Sequence, residues 1–276
     1  MVKRILVPVD GSDTSEAIFP HLRSLLKRVD ADLTLIHVCT KSAREQRSGH
    51  EYLEDLTERL ADQFPVVTPT LVLGEVGPRI IQAAVKGKFD LIAMTTHGRS
   101  GLSKMLYGSV ADDLLASSPV PLLLARPDAP VGEYKTILVP LDGSKRSEMI
   151  LPLVIELGKA SAGSLVFLAA GVKRATQHLQ DACGRAVDAG VAAEAVSLDA
   201  KPAEAILATA ANRKADLIAI STHGRSGKDR KTFGSVTEKI LKQAKLPLLV
   251  KRTAGAIDIA GHVVVDQVLV EPMKLK

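Results

Sequence analysis

The chain has 276 residues, 46% hydrophobic and 24% charged, with aromatics at 3% and no tryptophan. That composition excludes a disordered protein, leaves a core of aliphatic side chains as in α/β folds with buried parallel strands, and argues against single-stranded nucleic acid bound by base stacking. The net charge of +5 is uneven, −1 over residues 1–132 and +6 over 133–276, a difference able to steer an anionic ligand.

The first predicted strand, Arg4–Val9, is a short β-branched run closed by Asp10-Gly11-Ser12-Asp13. Asp13 and Glu16 have capping-box spacing, and the helix they open sets Ile18, Leu22, Leu25 and Leu26 on one face. Asp32–Val38 is the second strand. Residues 40–52 are polar and charged and read as a mobile loop, followed by a helix from about Tyr52 to Gln63 that Pro65 ends. Val66–Val72 is the third strand. Gly77-Pro78 opens a helix carrying Ile80, Ile81 and Ala84. Asp90–Thr95 is the fourth strand, and a glycine- and hydroxyl-rich stretch leads from Thr95 into a helix over Ser109–Ser117. Pro121–Arg126 is the fifth strand. Pro127 to Gly132 form a linker that punctuates rather than packs.

The series then returns. Ile5–Ser12 matches Ile137–Ser144 at an offset of 132, and Ile18, Pro20, Leu22 and Leu25 align with Ile150, Pro152, Val154 and Leu157. The glycine loops align at an offset of 126, so the second copy has lost six residues between its second and third strands. The chain divides into residues 1–127, a linker 128–134, residues 135–252, and an extension 253–276 whose stretch His262–Val270 is β-prone and reads as an added edge strand. Each copy predicts an α/β fold: an open, parallel five-stranded sheet with helices on both faces. Ligands bind such sheets beyond the carboxyl ends of the strands, where the strand order reverses.

Two features of each copy meet there. Asp10 and Asp142 end the first strand in Asp-Gly-Ser, able to accept hydrogen bonds from a ribose or an adenine amine, or simply to close the strand–helix connection as an Asx-turn. Pro8 and Pro140 stand two residues before them and stiffen the rim. Gly98 and Gly108 bracket nine residues, with Ser109 next; Gly224, Gly234 and Ser235 repeat the spacing. Glycines that let the backbone close on an anion, followed by a helix start, make a phosphate cradle. Arg99, Gly101 and Lys104, and Arg225 in the second copy, belong to the same loops. His97 and His223 precede the loop glycine with no second ligand at metal spacing. No catalytic residue and no metal ligand is assigned, and Walker, GxSxG and HExxH patterns are absent. Asp229 inside the second loop, where the first has Ser103, leads to the expectation that the first copy binds an anion at least as tightly.

These residues resemble the universal stress protein family in tandem form. The markers are Ile-Leu-Val-Pro-Val-Asp-Gly-Ser at 5–12, Asp-Leu-Ile-Ala-Met-Thr-Thr-His-Gly-Arg-Ser-Gly at 90–101 and Gly-Ser at 108–109, each with a second-copy partner. The resemblance covers residues 3–126 and 135–252 and implies an adenine nucleotide α-hydrolase-like fold that binds ATP, with Mg²⁺. The family motif G-x2-G-x9-G-[ST] falls on Gly98, Gly108 and Ser109, and on Gly224, Gly234 and Ser235; its first glycine is replaced by Thr95 and Ser221, whose hydroxyls could still donate to a phosphate. The resemblance further implies that Asp10 and Asp142 contact the nucleoside, and that the backbone at Val38 and Ala170 touches adenine. It also implies that Pro121–Arg126 and Pro247–Arg252 pair the two domains within the chain, as subunits pair in a homodimer. The function so implied is ATP binding in stress response or signalling. A slow ATPase and a scaffold that binds partners without nucleotide stay open as alternatives. Cys39 and Cys183 have no paired spacing, the start is not leader-like and no apolar run reaches membrane-spanning length, so the expected setting is the cytoplasm, with no membrane and no nucleic acid as partner.

Overall fold

The computed structural model describes residues 2–39, 42–96, 108–172, 176–223 and 234–253. The order is β1 (Arg4–Pro8), α1 (Asp13–Glu16), α2 (Ile18–Leu25), β2 (Asp32–Cys39), α3 (Ala43–Leu60), β3 (Val66–Leu73), α4 (Val76–Lys86), β4 (Leu91–Thr95), α5 (Ser109–Ser117) and β5 (Leu122–Ala125). It continues with β6 (Thr136–Pro140), a 3₁₀ turn (Ser147–Ile150), α6 (Leu151–Ser161), β7 (Ser164–Ala170), α7 (Thr176–Asp188), β8 (Ala192–Leu198), α8 (Pro202–Asn212), β9 (Leu217–His223), α9 (Ser235–Gln243) and β10 (Leu248–Thr253).

The two expected five-stranded sheets are halves of one ten-stranded sheet, ordered β3-β2-β1-β4-β5-β10-β9-β6-β7-β8. All neighbours are parallel except β5 and β10, which pair antiparallel with Leu123 opposite Leu249. The single antiparallel junction has a geometric consequence: the carboxyl ends of the strands in one half point opposite to those in the other. In each half the order reverses between the first and fourth strands, β1 beside β4 and β6 beside β9.

Aliphatic side chains on alternate positions fill both faces, because a parallel strand is covered on both sides. Ile5, Val7, Leu22, Leu25, Leu33 and Leu53 pack under α2 and α3, and the same cluster runs on through Leu123 and Leu249 to Ile137, Val154 and Phe167 under α6. Leu6, Ile92, Ile80 and Leu114 fill the opposite face under α4 and α5, continuous with Leu138, Ile218, Ile206 and Ile240. Neither face has an apolar break at the junction.

Two expectations are corrected. Residues 43–52 are helical, not a loop: α3 begins at Ala43. Its first turns consist of helix formers such as Ala43, Arg44, Glu45 and Gln46, and the buried position there is Gly49, where a Cβ would stand 2.8 Å from Leu71 Cδ1 and 3.0 Å from the His37 ring. A glycine contact leaves no hydrophobic period to read. The linker also packs. Ser24 Oγ donates to Gly132 O at 2.6 Å, and Tyr134, fully buried, puts its hydroxyl 2.8 Å from Nδ1 of buried His21. Among the described residues α3 has 18 residues and α7 has 13.

Candidate functional site

The turn after β1 is built by its own hydrogen bonds. Asp10 Oδ1 accepts from Ser12 N at 3.0 Å and Ser12 Oγ at 2.6 Å. Ser12 Oγ in turn accepts from Ser15 N at 3.1 Å and so caps α1, while Ser15 Oγ donates to Ser12 O at 2.8 Å and accepts from Asp10 N at 3.3 Å. The cap is therefore Ser12, one residue before the Asp13 that the capping-box spacing indicated. After β6 the same network recurs: Ser144 N to Asp142 Oδ1 at 2.9 Å, Ser147 N to Ser144 Oγ at 3.1 Å, Ser147 Oγ to Ser144 O at 2.8 Å and Asp142 N to Ser147 Oγ at 3.3 Å. Ser15 and Ser147 were not singled out from the sequence; their recurrence at the offset of 132 was the signal. Asp10 and Asp142 themselves are exposed at the strand end. Partial burial pushes the Asp142 carboxyl up, but bonds from the Ser144 hydroxyl and N–H and the Ser147 hydroxyl outweigh it and hold the group below the ordinary carboxylate value.

Across the crevice stand β4 and β9. Thr95, the last residue of β4, is 5% exposed, and its hydroxyl donates to Thr14 O at 2.5 Å. Its proton is committed inside the protein, so the expectation that it donates to a phosphate is corrected. Ser221 differs. Its Oγ is buried and has no hydrogen-bond partner among the described residues. β9 also runs on to His223, which β10 pairs through Thr253, whereas β4 stops at Thr95.

The helix starts complete the ends. Gly108 precedes α5 at φ 94°, a left-handed backbone that L side chains rarely adopt. Gly234 precedes α9 at φ −59°, with open space where a Cβ would stand. Ser109 and Ser235, the first helical residues, are exposed, and the first-turn N–H groups, which a helix leaves without intrahelical acceptors, are of the kind that meets an anion. Pro8 and Pro140 end β1 and β6, Val38 lies one residue before the end of β2, and Ala170 ends β7, 6% exposed. The crevice of each half thus gathers the Asp-Gly-Ser turn, the Thr95 or Ser221 strand end and the α5 or α9 start. His97, Gly98, Arg99, Gly101, Gly224 and Arg225 lie outside the described residues, as do the His223 side chain and the extension 254–276.

His37, read as a satisfied strand residue, is one: its Nδ1 donates to Val9 O at 3.0 Å and so pins the end of β1. Cys39 ends β2 at 7% exposure and Cys183 is half-buried on α7; burial pushes both thiols up. Among the described residues no helix is long and apolar enough to cross a membrane.

The model of the universal stress protein family matches residues 1–126 and 160–252. The chain belongs to that family. The match leaves out β6 and the Asp142 turn, a stretch that repeats the hydrogen bonds of β1 and the Asp10 turn. A universal stress protein of Methanocaldococcus jannaschii is 30% identical over 142 residues, covering 46% of this chain and 83% of that protein. A universal stress protein of Mycobacterium tuberculosis is 24% identical over 213 residues, covering 70% of this chain and 71% of that one. Among solved structures, a universal stress protein from Archaeoglobus fulgidus superposes with a TM-score of 0.78 at 20% identity, covering 91% of this chain and 99% of that one. That similarity shows the fold.

Proposed function

We propose that this universal stress protein binds adenine nucleotide, ATP with Mg²⁺, at the strand end of each half, and that the bound state is what a partner or a second copy of the chain reads. The observation that carries this is the crevice at the strand-order reversal. There an aspartate fixed by its turn stands at the strand end beside a helix start, and the arrangement occurs twice. In this reading Asp10 and Asp142 take the ribose, the backbone at Val38 and Ala170 takes the base, and the N–H groups at Gly108–Ser109 and Gly234–Ser235 take phosphate. The residues fit the group: Ser221 Oγ is a buried hydroxyl lacking an acceptor among the described residues, and such a group gains from a ligand oxygen that supplies one. The triphosphate supplies a compact negative charge that helix starts favour.

Residues 1–127 and 135–252 then act as two nucleotide-binding domains joined by 128–134, with 253–276 as an extension, in a cytoplasmic protein. Because β5 and β10 run antiparallel, the two sites open at opposite ends of the sheet and one small ligand cannot bridge them. A second reading, a scaffold that binds partners without nucleotide, is favoured by Thr95, whose hydroxyl is already satisfied. Isothermal titration of nucleotide-free protein separates the two. Saturable heat with ATP, lost when Asp10 and Asp142 are both replaced by alanine, supports the nucleotide reading. No binding up to high micromolar ATP leaves the scaffold.

A further inference from the structure

A second cluster repeats outside the predicted site. At the end of α1, Glu16 accepts from Tyr52 Oη at 3.1 Å and from both terminal nitrogens of Arg59, at 2.9 and 3.1 Å. On the 3₁₀ turn, Glu148 accepts from His178 Nδ1 at 3.2 Å, with Arg185 at 3.8 Å. Glu16 and Glu148 are related by the offset of 132, Tyr52 and His178 and Arg59 and Arg185 by 126. The two clusters are one device, tying the helix after the first strand to the helix after the second, with an imidazole in the second half where the first has a phenol.

The ring positions differ in consequence. Burial, with Glu16 beside it, pushes the Tyr52 phenol well above its ordinary range, and Ser15 and the Gly11 backbone draw it the other way; it stays neutral. The His178 ring lies against Gly143, Cδ2 at 3.5 Å and Nε2 at 3.9 Å from where a Cβ would stand, with Val172 at 4.0 Å. Gly143 follows Asp142, and Val172 follows the end of β7. The imidazole therefore fills the gap between the turn assigned to the ribose and the strand end assigned to the base. Nδ1 faces a carboxylate, which only accepts, so it carries the neutral ring's proton, and a second proton goes to Nε2 on the side of Gly143. The charged groups shown to meet it are Glu148 on the 3₁₀ turn, at 3.2 Å, and, through Glu148, Arg185 on α7; Asp142, Lys145 and Arg146 belong to the turn after β6 and Asp181 to α7.

We propose that His178 is a specificity-determining residue of the carboxy-terminal site: it walls the ribose and base end, and its protonation raises that site's affinity for anionic nucleotide as pH falls, while the amino-terminal site carries the neutral Tyr52 at this position, packed against His37, whose Nδ1 is bound to Val9 O. The inference rests on the nucleotide reading above. Imidazole changes charge within the pH range where proteins work, whereas a phenol does not.

The test measures ATP affinity by titration calorimetry at about pH 6 and about pH 8, the range over which imidazole charge changes, in an Asp10→Ala chain reporting the carboxy-terminal site and an Asp142→Ala chain reporting the amino-terminal one. The ligand's own titration is common to both. The expected result is an affinity gain on acidification larger by roughly threefold in the Asp10→Ala chain, the size of a partly exposed charge interaction. Adding His178→Tyr removes that excess, and adding Tyr52→His to the Asp142→Ala chain creates it. Equal gains in both chains, or an excess that survives His178→Tyr, overturn the proposal while leaving ATP binding standing. No ATP bound by the unsubstituted protein at either pH overturns the nucleotide reading and this inference with it.

Discussion

Thr95 and Ser221 hold equivalent places in the two halves, Thr95 at the end of β4 and Ser221 two residues before the end of β9, and their surroundings differ. Thr95 reaches Thr14 O on α1. In the second half the four-residue helix is a 3₁₀ turn displaced by two positions, Ser147–Ile150; the backbone bond of Ala17 N to Thr14 O recurs as Met149 N to Arg146 O, but among the described residues only Thr14 O also accepts a strand hydroxyl. Ser221 has its Oγ buried and without a hydrogen-bond partner among the described residues. Below this, the turns that hold Asp10 and Asp142 share four hydrogen bonds at equivalent positions. A turn closed by its own hydrogen bonds survives a change in the helix above it; a hydroxyl that depends on a neighbouring carbonyl does not. The amino-terminal strand end is closed on itself, and the carboxy-terminal one retains a hydroxyl to satisfy.

The comparison assumes that both halves belong to one folded unit, and the strongest way to break it is at the junction. Leu123 and Leu249 face each other across β5 and β10 with no exposed surface. Leu249→Ala and Leu123→Ala are each expected to cost about 2–5 kcal/mol and to shift a single urea transition. Two separate transitions, with only one half affected, would show that the halves fold apart.

A smaller effect is expected at the linker. Tyr134→Phe strands His21 Nδ1 in the core and should cost about 1–3 kcal/mol, the price of a buried group without its partner, read as a lower urea midpoint with unchanged slope. Burial also lowers the His21 pKa below its ordinary value of 6.5. The unfolded chain then binds the proton more readily, so the stability contributed by neutral His21 is complete above 6.5 and declines as pH falls below it. His21→Gln should flatten the loss measured between neutral and mildly acidic pH; an unchanged pH profile would place the sensitivity elsewhere.

The smallest effect sharpens the comparison of the turns. Ser12→Ala removes an α-helix cap and should cost about 0.5–2 kcal/mol. Ser144→Ala removes the same bonds ahead of a 3₁₀ turn and should fall at the low end of that range. A larger loss at Ser144, measured by thermal unfolding, would mean that the second turn depends on its serine more than the first.

Much of this architecture is legible in the sequence because the chain states it twice. Strand cores such as Ile5-Leu6-Val7 and Ile137-Leu138-Val139 are continuous apolar runs, and a helix start such as Ser109 follows its glycine at a fixed spacing. What was not legible depended on contacts rather than patterns. The first turns of α3 bury Gly49, which no hydrophobic period reveals. Tyr134 sits in a stretch whose prolines and glycines suggest exposure, yet it packs against α2. The Thr95 hydroxyl looked available because its acceptor, Thr14 O, lies 81 residues earlier and is brought to it only by the fold. The Glu16 and Glu148 clusters were readable from the two offsets, but salt-bridge partners on separate helices are ordinary surface features until the turn beneath them is seen.

The central claim is that each half builds its own nucleotide site, at opposite ends of one sheet. The most direct test is the stoichiometry of ATP bound at saturation, by equilibrium dialysis, in the unsubstituted protein and in the Asp10→Ala, Asp142→Ala and doubly substituted chains. The account predicts two equivalents, then one, one and none. A stoichiometry unchanged by both substitutions, or no bound ATP in the unsubstituted protein, would contradict it.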